Sequence, residues 1–75
     1  MNIAEPSIYW AELINGLEEL RDNTIARQDL VLTLLDRARK LNDDTLFNAC
    51  IAETKRLQIA INGINKRITV ASERV

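Results

Sequence analysis

The side chains capable of covalent or metal chemistry are few, and none has a suitable partner. Cys50 is the single cysteine, and the chain has no histidine to serve as its base or as an imidazole metal ligand. A lone cysteine cannot form the usual thiolate zinc site. The carboxylates of Asp43, Asp44 and Glu53 lack the spacing of a calcium loop. We therefore expect no enzyme, no metal and no cofactor, and interpret Cys50 as a small buried apolar residue.

Basic side chains are the other candidates, because small helical hairpins can bind RNA. They are Arg37, Arg39, Lys40, Lys55, Arg56, Lys66 and Arg67. Acids such as Asp36 and Glu53 are interleaved with them, and no aromatic residue lies among them to stack on a base. A net charge of −1 gives no long-range attraction to nucleic acid or to an anionic membrane. We interpret these residues as solvated helix faces and expect neither kind of partner.

The elements that position these side chains are predicted by two heptad ladders that mirror each other. The first is Leu13, Leu17, Leu20, Thr24, Arg27, Val31, Leu34, Ala38, Leu41, and the second is Phe47, Cys50, Thr54, Leu57, Ile61, Ile64, Ile68, Ala71, Val75. The ladders predict an all-α fold, an antiparallel hairpin of two long helices, in which the numbers of facing residues sum to 88. The polar run Arg21–Thr24 interrupts the first ladder, so the first helix is either continuous or split to give a short third helix.

The 75 residues fit one helical domain, since 47% are hydrophobic and only two are glycine. The predicted parts are a loose leader 1–6, a helix 7–41 with a candidate break at 22–24, a turn 42–44 and a helix 45–72. Either Asp43 or Asp44 is a suitable N-cap for the last helix. The sequence shows neither a secretion signal nor a membrane span, which predicts a cytoplasmic location.

Apolar residues outside the ladders predict a protein-binding surface. Exposed aliphatic side chains make several kcal/mol available for association, at about 25 cal/mol per Å2. The predicted partner-binding residues lie on both flanks of the first helix: Ile14, Ile25, Leu32 and Leu35 on one, Leu30 on the other. The alternative is that residues 7–20 fold back and cover this stripe themselves.

The last helix resembles that of a known family. Phe47, the step Glu53-Thr54-Lys55, Leu57, Ala60-Ile61 and Ile64 are similar to the C-terminal helix of the small YscE-type proteins of bacterial type III secretion systems. The similarity covers roughly residues 44–68. It implies a cytoplasmic cochaperone that pairs with a helical-repeat chaperone and keeps the needle subunit unpolymerised. The alternative is a self-associating hairpin, a four-helix-bundle dimer with a structural or regulatory role. An RNA-binding hairpin is more distant.

Overall fold

The computed structural model describes the backbone of residues 4–74 and the side chains of residues 8–74. Two helices account for nearly all of this part of the chain, α1 at Ala4–Lys40 and α2 at Asp44–Ser72. They pack side by side and antiparallel in a rod of 63 × 14 × 12 Å. The predicted all-α helical hairpin is therefore confirmed.

The first helix is longer than predicted and has no break. It runs straight through residues 22–24, so the continuous alternative is the one observed. It begins at Ala4, which makes residues 4–6 of the predicted leader helical, while residues 1–3 lie outside the described part of the chain. Pro6 is tolerated there because the first four N–H groups of a helix have no acceptor within it.

A Schellman motif ends α1. Asn42 adopts a φ of 55°, in the left-handed region that non-glycine residues seldom occupy. The Asn42 amide donates to the carbonyl of Arg39 at 3.2 Å, and the Asp43 amide donates to the carbonyl of Ala38 at 2.9 Å. Together these two bonds satisfy carbonyl groups that the end of the helix leaves free. The chain consequently reverses its direction beside Ala38.

The same turn begins α2. The Asp43 carboxylate accepts a hydrogen bond from the Leu46 amide at 3.0 Å, so Asp43, one of the two predicted candidates, is the N-cap. The connection is made of residues 41–43, one residue earlier than the predicted turn, because Asp44 is already helical. Asp43 therefore serves both helices, which gives the hairpin a very short connection.

The seam, meaning the residues of each helix that pack against the other helix, follows the predicted ladder of α2. Every ladder residue from Phe47 to Ala71 is buried or half-buried. The buried residues of the described chain are Ala38, Cys50, Leu57, Ile61, Ile64 and Ala71. Burial of Cys50 agrees with its interpretation as an apolar core residue.

The predicted ladder of α1 is wrong at every second position. Leu13, Leu20, Leu34 and Leu41 are 36%, 48%, 42% and 69% exposed. The predicted residues between them, Leu17, Thr24, Val31 and Ala38, do lie in the seam. The complete row that is buried or half-buried consists of Trp10, Ile14, Leu17, Arg21, Thr24, Gln28, Val31, Leu35 and Ala38. This row keeps the heptad spacing but is rotated by about 50° around the helix axis, the angle between adjacent heptad rows.

The two rows of α1 share Ala38, and α2 packs on one of them. Both fit the heptad spacing, and the row that contains Leu34 is the more apolar one. Because the Asp43 amide is bonded to the Ala38 carbonyl, α2 starts beside Ala38. From there α2 runs back along the row that contains Leu35. The apolar row beside it stays in solvent.

The register also differs from the prediction. Gln28 donates from Nε2 to the side chain of Gln58 at 3.1 Å and to the carbonyl of Thr54 at 3.4 Å, and the Arg39 guanidinium lies 5.8 Å from the centre of the Phe47 ring. The numbers of these pairs sum to 82–86 rather than to 88. The hairpin is thus centred on Asn42, two residues earlier than the ladders indicated.

Candidate protein-binding groove

One face of the hairpin carries the apolar row that α2 leaves uncovered. We call Leu13, Leu20, Leu34 and Leu41 the leucine row; with Arg27 at its middle, its members recur every seven residues along α1. Leu30, at 68% exposed, lies one helical turn before Leu34 and widens the row. Exposed aliphatic side chains that recur along one line of a helix, here on either side of Arg27, are typical of a contact surface.

A groove runs between the leucine row and α2. Three adjoining pockets of about 340, 430 and 500 Å3 share their lining residues and so form one depression. Leu20 and Thr24 line it from α1, while Ala60 and Gly63 line it from α2. A Cβ atom built on Gly63 would meet nothing within 4 Å, so the floor is open at this point. The small side chains of α2 give the groove its depth.

The largest of these pockets lies at the open end of the hairpin. Trp10, Val70 and Ala71 form its apolar part, with Lys66 and Arg67 at its edge. The Arg74 guanidinium lies 5.1 Å from the centre of the Trp10 ring, a cation–π contact that holds the indole at this end. The pocket therefore combines an apolar surface with a cationic edge.

Charge is divided between the two faces of the hairpin. The helical rows that border the groove carry Lys66 and five arginines against two acids, Glu53 and Glu73, and Glu53 is paired with Arg56; the arginines are Arg27, Arg37, Arg56, Arg67 and Arg74. The rows of the opposite face carry Glu18, Asp22, Asp29 and Asp36 against Arg39 and Lys55. Although the whole chain has a net charge of −1, its groove face is basic and its opposite face is acidic.

The basic residues considered for RNA binding are all exposed. Along the chain, acids and bases alternate, but helical spacing sorts them by face. Arg27, which the first ladder placed in the seam, is exposed and lines the groove. Among the described side chains, neither Arg27 nor Arg67 forms an ion pair. Both guanidinium groups are therefore available to an anionic partner.

The five residues predicted to bind a partner do not form one surface. Ile14 and Leu35 are half-buried and belong to the seam row of α1. Ile25 and Leu32, at 37% and 43% exposed, lie on the acidic face, while Leu30 lies beside the leucine row. The groove was missed because the sequence analysis had assigned the leucine row to the hairpin's own core.

The residues that resemble the YscE-type helix are mostly seam residues. Leu57, Ile61 and Ile64 are buried, and Phe47 is half-buried. Their similarity therefore concerns the packing of the hairpin.

Three of the matching residues, Leu57, Ala60 and Ile64, also line the groove, and Ala60 is the exposed one among them. Cys50 is 5% exposed and lies on the α2 ladder, within the hairpin core. In the described part of the chain, no cluster of three or more Cys, Asp or Glu side chains is arranged to hold a metal ion. Neither described helix has a stretch long and apolar enough to cross a bilayer.

Comparison of the chain with protein-family models, with curated proteins and with solved structures gives no match.

Proposed function

We propose that this chain is a non-catalytic protein-binding module that holds a helical segment of a partner in its groove. The observation that carries the proposal is the uncovered leucine row beside an open, mostly apolar groove. At 48% exposed, Leu20 contributes to both features. An apolar strip of this kind is most stable when a second protein removes it from water.

The overall dimensions support this proposal. The accessible surface is 5773 Å2, against about 4,700 Å2 for a compact monomer of this mass. The radius of gyration is 17.5 Å, against about 11 Å for a compact chain of this length. The excess of about 1,100 Å2 is comparable to the ~800 Å2 that each partner contributes to a stable interface. The hairpin thus has enough spare surface for a heteromeric complex.

The specific function that we propose is that of a type III secretion cochaperone. In this role the hairpin pairs with a helical-repeat chaperone in the cytoplasm, and together they keep the needle subunit unpolymerised. Support comes from the resemblance of residues 44–68 to the YscE-type helix and from a hairpin that leaves an apolar face free. A polymerising subunit has an apolar face that self-associates, and this face must be covered before export.

A matched pair of substitutions tests the proposal. Leu20→Glu places a carboxylate in the groove, and Leu32→Glu makes the same change on the acidic face, at residues that are 48% and 43% exposed. We expect Leu20→Glu to abolish copurification with a coexpressed helical-repeat chaperone and needle subunit, because an unpaired carboxylate is costly to bury. Leu32→Glu should copurify normally.

Three other outcomes would contradict parts of this proposal. Loss of the complex with Leu32→Glu alone would contradict the groove as the site and favour the flank predicted from the sequence. Normal copurification of both variants would contradict binding by either face. A dimer of the isolated chain that Leu20→Glu dissociates in analytical ultracentrifugation would replace the cochaperone with the four-helix bundle.

A further inference from the structure

We infer that the segment bound in the groove is an acidic amphipathic helix, an inference that rests on the proposed function and specifies its partner. The groove extends between the levels of Trp10 and Arg27 on α1, about 25 Å at 1.5 Å per residue. A helix of about 17 residues has that length. Its apolar side chains would occupy the pockets, and carboxylates on its flanks would meet the arginines of the groove.

The cations of the groove are placed for such a ligand. Arg27 lines one end of the groove, Arg67 lines its middle, and Lys66 lies at the other end beside Trp10. Arginine binds carboxylates through two parallel hydrogen bonds, and an apolar surrounding strengthens that contact. An acidic helix with an apolar stripe satisfies both the floor and the edges of the groove.

The charge distribution disfavours a second copy of this chain in the groove. A symmetric dimer through this face would bring the arginines of one copy towards those of the other, because the same surface is used twice. Like charges placed opposite each other across an interface cost free energy. A protein with carboxylates at its edges makes the opposite, favourable contact.

The floor of the groove favours a protein helix over RNA. Leu20, Ala60, Ile64 and Val70 are aliphatic and offer no flat surface for a base. Single-stranded RNA is usually held by several aromatic side chains, and in the described groove Trp10 is the one aromatic residue. Aliphatic pockets instead fit the leucine-type side chains of an amphipathic helix.

Trp10 provides the experiment with its signal, because it is the single tryptophan of the chain and lines the groove. The probe is a synthetic amphipathic peptide of about 18 residues, with leucines along one face and glutamates on both flanks. The comparison peptide has lysine in place of each glutamate. We expect the acidic peptide to shift the Trp10 emission and to bind at least tenfold more tightly than the basic one. The affinity of the acidic peptide should decrease when the salt concentration is raised from about 50 to about 500 mM.

Charge reversals identify the face that is used. Arg27→Glu and Arg67→Glu change exposed groove residues, and Lys55→Glu makes the same change in net charge on the acidic face. Circular dichroism verifies that each variant is folded. We expect each groove variant to bind the acidic peptide at least tenfold more weakly, and Lys55→Glu to stay within twofold of the parent chain.

The outcomes separate this inference from the proposed function. Equal or tighter binding of the basic peptide would overturn the acidic partner and leave the groove as a helix-binding site. If neither peptide shifts Trp10, both proposals are contradicted. Tighter binding of a single-stranded RNA than of the acidic peptide, or a groove filled by a second copy in sedimentation equilibrium, would also overturn the inference.

Discussion

Replacing Thr54 by valine should stabilise the hairpin. Thr54 lies on the α2 ladder, and its Oγ1 is buried without a hydrogen-bond partner among the described residues. Gln28 is nearby, but its amide donates to the Thr54 carbonyl and not to the hydroxyl. An unsatisfied buried polar group costs about 1–3 kcal/mol. Valine has nearly the same shape and a similar helix propensity, so little else changes.

The expected gain can be expressed as a melting temperature. We take a gain in stability of about 1 kcal/mol, the lower end of the range, because Thr54 as a whole is only half-buried. Unfolding entropy of about 2.1 cal/mol/K per residue amounts to about 0.16 kcal/mol/K for a chain of this length. A gain of about 1 kcal/mol then raises Tm by about 6 °C. Thermal denaturation followed by circular dichroism measures this directly.

Thr69→Val is the matched control. Thr69 is an exposed residue of the same helix, and its hydroxyl donates to the Asn65 carbonyl at 3.0 Å. We expect this substitution to change the stability by less than about 0.5 kcal/mol, as is usual at the surface. A lower Tm for Thr54→Val would mean that the hydroxyl has a partner in solution. The proposed seam around Thr54 would then be incorrect.

Three further predictions concern the seam and the turn. Leu35→Ala should lower the free energy of unfolding by about 1–2 kcal/mol, measured by chemical denaturation, because Leu35 is half-buried. Leu34→Ala should lower it by less than about 0.5 kcal/mol, because Leu34 is exposed. A larger loss for Leu34→Ala than for Leu35→Ala would favour the ladder predicted from the sequence. Asp43→Ala should cost about 1 kcal/mol through loss of the N-cap, measured in the same way, and an unchanged stability would refute the cap. Cys50→Ala should cost about 1 kcal/mol or less, and the native thiol should react slowly with a labelling reagent; rapid reaction would contradict its burial.

The fold and α2 were predictable because one apolar row dominates that helix. From Phe47 to Ala71 the residues that fit the heptad spacing are also the residues that are buried. Asp43 was likewise recognisable as a cap, since aspartate is a preferred N-cap residue. Local chemistry and periodicity agree there, so they lead to the observed structure.

The groove was not predictable because α1 has two apolar rows with the same spacing. The rows of Leu34 and Leu35 share Ala38, beside which α2 starts, so neither the heptad spacing nor the cap residues distinguish Leu34 from Leu35 as the seam residue. Periodicity alone favours the more apolar row, which the structure leaves exposed. The polar residues Arg21 and Gln28 occupy the seam instead. The leucine row thus breaks the rule that the most apolar row forms the core.

Mapping the contact face by NMR is the most direct test of the central claim that the groove is the binding surface. The measurement follows backbone amide chemical shifts of the labelled chain during titration with the acidic peptide. We predict that the largest changes occur at groove residues, led by Leu20, Gly63 and Arg67. Changes concentrated at Ile25 and Leu32, on the acidic face, would contradict the account.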